Sequence, residues 1–102
     1  MLTEVRVATL SDLAYVDHLQ RIEANGIDSV GFIPWSRYEK DAMIGWIHLI
    51  FDNDEPTGFV YATHNWHGVT RIQQIVVQED ARRAERATAL VSAAVRQNDW
   101  LV

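Results

Sequence analysis

The spacing of hydrophobic positions changes along the chain, from two to about 3.6 and back, and each change marks a new element. Residues 5–8, Val-Arg-Val-Ala, alternate as a short strand does. Thr9 and Asp12 then stand at the spacing of a capping box, which predicts a helix from about Ser11. Leu13, Val16, Leu19 and Ile22 recur at near-helical spacing and are assigned to its apolar face, and Asn25-Gly26 supplies a stop. The predicted helix covers 10–24.

Residues 27–35 contain Gly31 and Pro34 and read as a loop, after which Ser36 and Glu39 repeat the capping spacing and open a short helix ending near Gly45. Trp46 to Phe51 is almost wholly apolar, and Asp52-Asn53-Asp54-Glu55-Pro56 after it favours chain reversal. A second strand follows from Gly58 to His64, then a turn at Asn65-Trp66-His67-Gly68, then a third from Val69 to Val77. Three successive strands joined by short turns predict an antiparallel meander. From Ala81 to Asn98 the period is helical again, with Ala84, Ala87, Leu90, Val91, Ala94 and Val95 on one side. Trp100-Leu101-Val102 looks like the start of one more strand.

The chain has 102 residues, 48% of them hydrophobic, enough for one packed core and not two. A single α/β domain over 1–102 is therefore expected. Fourteen acidic against nine basic residues give a formal charge of −5, which argues against broad binding to nucleic acid. No run approaches the roughly 20 apolar residues of a membrane span, and Glu4 and Arg6 interrupt any signal-peptide pattern. A cytoplasmic protein with no nucleic-acid or membrane partner is expected. The absence of cysteine excludes disulfides, thiolate zinc sites and cysteine nucleophiles. His18, His48 and His67 lie on different elements, no pair at metal-site spacing, so no metal is expected. Of four tryptophans, Trp35 and Trp66 fall in predicted loops and are the ones placed for contact with a ligand.

The chemistry concentrates between Ile75 and Leu90. A strand that runs through Gln78-Glu79-Asp80-Ala81-Arg82-Arg83 into a helix leaves backbone N–H groups unpaired at the helix start, and the helix dipole favours an anion there. Arg82, Arg83 and Arg86 add positive charge to the same turn. Three solvated arginines on an ordinary surface helix fit the same residues.

The chain resembles the GNAT superfamily of acyl-CoA-dependent N-acyltransferases. The resemblance lies in the opening strand with Ala8-Thr9-Leu10-Ser11-Asp12-Leu13, in Gly31-Phe32-Ile33-Pro34, in Gly58-Phe59-Val60-Tyr61-Ala62, and in Ile72 to Val77 leading to Arg82-Arg83. The family's cofactor motif is Gln or Arg, two residues, Gly, one residue, then Gly or Ala. Arg82-Arg83-Ala84-Glu85-Arg86-Ala87 lies over it, with Leu90 at the following apolar position. The fold it implies is α/β (α+β), a mixed, largely antiparallel sheet flanked by helices in the order β-α-α-β-β-β-α, with a last strand begun at Trp100.

It also implies acetyl-CoA or another acyl-CoA as cofactor. Arg82, Arg83, Ala84, Glu85, Arg86, Ala87 and Thr88 would hold the pyrophosphate, and main-chain atoms of Ile75, Val76 and Val77 the pantetheine arm. Glu85 replaces the motif's first glycine, where a missing Cβ lets phosphate approach the backbone. A carboxylate about 4 Å from a phosphate charge costs on the order of 1 kcal/mol in water and ~4 at an effective dielectric of 20, so binding is expected to be weakened. Transfer to an amine needs a base and a proton donor for the departing thiolate. Glu79 and His64 are the candidate bases; Gln73 and Gln74 lie where some relatives carry a glutamate. The family's donor is a tyrosine on a helix beyond residue 102, which leaves Tyr61 as the candidate within the chain. The implied activity is acyl transfer to a small-molecule or protein amine, and the other reading is a GNAT-like interaction or structural module without catalysis. The apolar end at Trp100–Val102 is expected to pair with a second copy or another protein.

Overall fold

The computed structural model describes residues 3–23, 32–78 and 83–99. Strand β1 spans Thr3–Val7, a 3-10 turn Leu10–Asp12, and helix α1 Leu13–Glu23. Helix α2 is Trp35–Ala42, strands β2, β3 and β4 are Ile47–Asp52, Glu55–His64 and Thr70–Val77, and helix α3 is Arg83–Asp99. The strands lie in the order β1-β2-β3-β4, every pair antiparallel, which is the expected order of elements and the expected meander. The expectation for Trp100–Val102 lies outside the described residues. None of the described helices is long and apolar enough to cross a membrane.

Both faces of the sheet are covered, and this is why the middle strands read as apolar runs. On one face Leu13, Val16 and Leu19 of α1, Ile33, and Tyr38 and Ala42 of α2 pack on Ile47, Leu49, Phe51, Phe59 and Tyr61. On the other, Leu90 and Ala94 of α3 pack on Ile50, Val60, Ala62 and Val77. Successive residues of a strand point to opposite faces, so β2 needs apolar side chains nearly throughout.

The turns follow local chemistry. Asn53 and Asp54 have φ of 51° and 72°, the two left-handed residues of a type I′ hairpin. The reversal is therefore two residues long, and Glu55 and Pro56, expected in the turn, belong to β3. Asn65 Oδ1 accepts from the N–H of His67 at 2.9 Å and of Val69 at 3.0 Å, which sets the β3–β4 turn. At the first helix, Thr9 N–H donates to Asp12 Oδ2 at 2.9 Å, as a capping box requires, but the first turn is 3-10 and α1 starts at Leu13.

Three expectations about helices change. Helix α2 starts before Ser36: Pro34 is its N-cap and its carbonyl accepts from Arg37 and Tyr38 N–H at 3.0 and 3.4 Å. Trp35 is thereby a helical residue and not part of a loop. In α1, Ile22 is 52% exposed and Gln20 is fully buried. Ile22 stands about two and a half turns from Leu13, which puts it on the opposite side of the helix; Gln20, four residues after Val16, continues the face. In α3 the buried stripe is Arg86, Leu90, Ala93 and Ala94, whereas Val91 and Val95 are exposed. The helix is rotated relative to its most apolar side because Arg86 has a partner inside.

Candidate functional site

That partner is Asp52, the last residue of β2. Arg86 Nε and Nη2 lie 2.8 and 2.6 Å from Asp52 Oδ2, and Thr3 Oγ1 donates to Asp52 Oδ1 at 3.1 Å. Burial alone would raise the Asp52 carboxyl, but the hydrogen bonds from Arg86 and Thr3 and the guanidinium charge outweigh it and hold it below its ordinary value. The pair ties the first turn of α3 to the β2–β3 hairpin. Arg86 is thus turned into the fold, and its side chain does not add its charge to the helix start.

The other residues of the expected cofactor turn are described only in part. Arg83 is the first residue of α3, while Arg82 and Glu79 lie outside the described residues. Ala84 and Glu85 are exposed in the first turn, Ala87 is half-buried, and exposed Thr88 donates through Oγ1 to Ala84 O at 2.9 Å. Strand β4 leads to this turn, and Gln78 N–H donates to Thr57 O at 2.9 Å just past its end. Ile75 is exposed, Val76 half-buried and Val77 buried. Strand β4 is last in the sheet, so among the described residues no strand pairs with its outer edge.

Tyr61 and His64 do not face that turn. His64 closes β3 opposite Thr70, at the other end of β4 from Val77. Seven residues of strand at about 3.3 Å each separate the two ends, roughly 20 Å. His64 Nδ1 lies 3.2 Å from Thr70 Oγ1, and its ring stands edge-on to Trp46. Tyr61 is fully buried beneath α2, where its hydroxyl donates to Asp41 and accepts from Arg37 Nη2 at 3.2 Å. Burial, then the hydrogen bond to Asp41, push the phenol up to about 12, partly opposed by Arg37. A phenol so enclosed has its proton committed inside the fold.

A second group of polar side chains includes Gln74, named in the sequence reading, and two partners that the sequence reading missed, Tyr38 and Gln20. Tyr38 OH donates to Gln74 Oε1 at 2.6 Å, and Gln74 Nε2 donates to Gln20 Oε1 at 3.0 Å. Gln20 Oε1 also accepts from Ile33 N–H at 3.0 Å, and its Nε2 donates to Ile33 O at 2.8 Å and Asp17 Oδ1 at 2.9 Å. Burial raises the Tyr38 phenol, as expected for a hydroxyl kept as a donor. The one signal in the sequence was a glutamine four residues after Val16, where a helix face continues.

On the face covered by α3, His48 is buried and its Nδ1 finds no partner among the described residues. Burial first, then the charges of His64 and Arg96, lower its pKa from the ordinary 6.5. The unfolded chain therefore binds this proton more readily than the folded one. Above about pH 6.5 both states hold His48 neutral and no stability is lost, but as pH falls through 6.5 stability declines until the folded-state value is passed. The His48→Leu variant is expected to show a shallower fall in melting temperature between pH 7.5 and 5. Identical pH profiles for the two proteins would show that His48 is solvated.

Fold and site define an α/β domain in which the terminal strand of an antiparallel sheet leads into a helix start. A profile of the Acetyltransferase (GNAT) family matches residues 10–99, and the chain belongs to this family. No curated protein sequence matches it significantly. Among solved structures, it is similar to N-acetylglutamate synthase from Neisseria gonorrhoeae complexed with coenzyme A and N-acetyl-glutamate. That similarity has a TM-score of 0.80 and 14% identity, and covers 99% of this chain and 23% of the other. A GNAT family acetyltransferase from Bacillus cereus matches with TM-score 0.67 and 22% identity over 91% of this chain and 62% of its own. Diaminobutyrate acetyltransferase EctA from Paenibacillus lautus, in complex with L-2,4-diaminobutyric acid and coenzyme A, matches with TM-score 0.70 and 17% identity over 91% and 56%. The chain thus spans less than two thirds of each of these relatives.

Proposed function

We propose that the domain binds an acyl-CoA, acetyl-CoA first of all, along the outer edge of β4 and across the start of α3, for transfer of the acyl group to an amine. The observation that carries this reading is the outer main-chain edge of β4, with which no described strand pairs, leading toward the start of α3 within the stretch that matches the family. Main-chain groups of Ile75 and Val77 on that edge suit an amide-bearing arm, whereas those of Val76, in step with Gln78 bonded to Thr57, turn inward to Phe59. The first N–H groups of α3, from Arg83 to Arg86, suit phosphate. The fit is supported by the exposure of Ala84 and Glu85, which leaves the first turn open, and by the Arg86–Asp52 pair, which anchors it. The cofactor supplies an activated thioester. The β4 edge and the first N–H groups of α3 would hold it so as to offer that thioester to an amine, whose proton would leave as the departing thiolate takes one up.

Glu85 sets the strength of binding. Its side chain is exposed, so the high-dielectric figure applies, about 1 kcal/mol of repulsion at 4 Å, or roughly fivefold in affinity. Calorimetry is expected to show acetyl-CoA binding that tightens about fivefold in Glu85→Gly, with a helix-propensity cost near 1 kcal/mol in stability. No heat from either protein at millimolar acetyl-CoA would refute the reading. Equal affinities would mean that Glu85 points away from the phosphates.

A further inference from the structure

Strand β4 carries a bulge at the middle of its length. Tyr61 pairs with Gln74 and Ala62 with Ile72, so Gln73 has no partner in the register. At a bulge the ladder no longer dictates the local backbone, and something else must hold it. Side chains do so here from two sides. Gln73 Nε2 donates to Thr63 Oγ1 at 3.1 Å, and the next residue, Gln74, is clamped between Tyr38 OH and Gln20 Oε1.

The clamp admits one arrangement. Gln20 Oε1 must face the N–H of Ile33 and its Nε2 the Ile33 carbonyl, because the main-chain groups cannot exchange roles. That presents an oxygen toward Gln74, which turns its own Nε2 to Gln20 and its Oε1 to Tyr38. Reversing either amide would set donor against donor or acceptor against acceptor. Tyr38 and Gln20 are both fully buried and Gln74 is half-buried, which limits competition from water.

We propose that Gln74 is a positioning residue of the acyl-transfer site: gripped by Tyr38 and Gln20, it fixes the bulged segment Gln73–Ile75 so that the outer main-chain edge of β4 meets the thioester arm in one geometry. This rests on the acyl-CoA reading above. The three elements that meet at Gln74 are α1, α2 and β4, and displacement of any of them moves the bulge. The phosphate turn at the start of α3 is held separately, by Arg86 and Asp52. Loss of the clamp therefore affects the arm and leaves the phosphates alone.

The test compares acetyl-CoA with adenosine 3′,5′-bisphosphate, which has phosphates and no thioester arm, by calorimetry on the intact chain. Gln74→Met keeps the length of the side chain and removes the hydrogen bonds to Tyr38 and Gln20. Its acetyl-CoA affinity is expected to fall about tenfold, while the bisphosphate affinity stays within about twofold. Tyr38→Phe removes only the hydroxyl and is expected to shift the same ratio in the same direction by less, and it decides the matter if Gln74→Met fails to fold. A purely structural Gln74 would lower the melting temperature and leave the ratio of the two affinities unchanged, which overturns the inference. If the wild-type chain binds neither ligand, the acyl-CoA reading fails and takes this inference with it. If it binds both and the variants match it, that reading stands and Gln74 has no positioning role.

Discussion

Replacing Asp52 by alanine is expected to lower the melting temperature by roughly 10–20 °C. Side-chain exposures of 7% for Arg86 and 14% for Asp52 make this a largely buried pair, and removal of one partner leaves the other charge without compensation. Such losses cost about 3 kcal/mol or more, and each kcal/mol is worth roughly 4–8 °C in a domain of this size. Arg86→Ala should behave alike and also shorten the buried stripe of α3. The double variant Asp52→Leu/Arg86→Met is expected to recover most of the loss, since a buried ion pair is often replaceable by apolar groups of similar volume. Acid reports on the same pair. The folded-state carboxyl is held below its ordinary 3.8, so its contribution is complete above that pH and disappears as pH falls through the folded-state value. Thermal melts followed by circular dichroism would decide the point. A fall of only a few degrees in both single variants would mean that water compensates the remaining charge.

Gln20→Leu is expected to cost about 3 kcal/mol, although leucine is the better helix former and the site lies in an apolar face. Ile33 is buried, and the substitution removes the partners of both its N–H and its carbonyl, as well as that of Gln74 Nε2. A buried polar group left unpaired costs about 1–3 kcal/mol, whereas burying the added leucine contributes about 2 in return. Urea unfolding is the suitable measurement, with the slope compared to show that the same surface is exposed on unfolding. A stability equal to that of the wild type would show that Ile33 finds other partners and that the glutamine only fills space.

The two substitutions fall on residues that local pattern misassigns. Ile22 reads as part of the α1 stripe, but the helical turn exposes it and buries Gln20. Arg86 reads as a charge for phosphate, since an arginine near a helix start has no local feature that distinguishes a solvated one from a paired one. Its partner Asp52 is 34 positions away and belongs, in the sequence, to a turn. The same applies to Tyr61, read as a candidate proton donor, whose partner Asp41 lies on α2.

Local interactions are what the sequence determined by itself. Period-two and helical spacing located four strands and three helices in order, Asn53-Asp54 and Asn65-Gly68 marked reversals because their side chains and backbones favour them, and Thr9 with Asp12 marked a helix start. Residue types at fixed spacing, from Ala8–Leu13 through Gly58–Ala62 to Ile72–Ala87, carried the resemblance to the family. The tertiary structure alone decided the rotation of α3, the start of α2 at Pro34, the bulge at Gln73 and the clamp on Gln74. Each of these depends on a hydrogen bond or ion pair whose partner is on another element, or on a mismatch between two strands that neither strand contains. Pattern along one segment reports which face is apolar; it does not report which polar side chain finds a buried partner, and at this site the buried partners set the geometry.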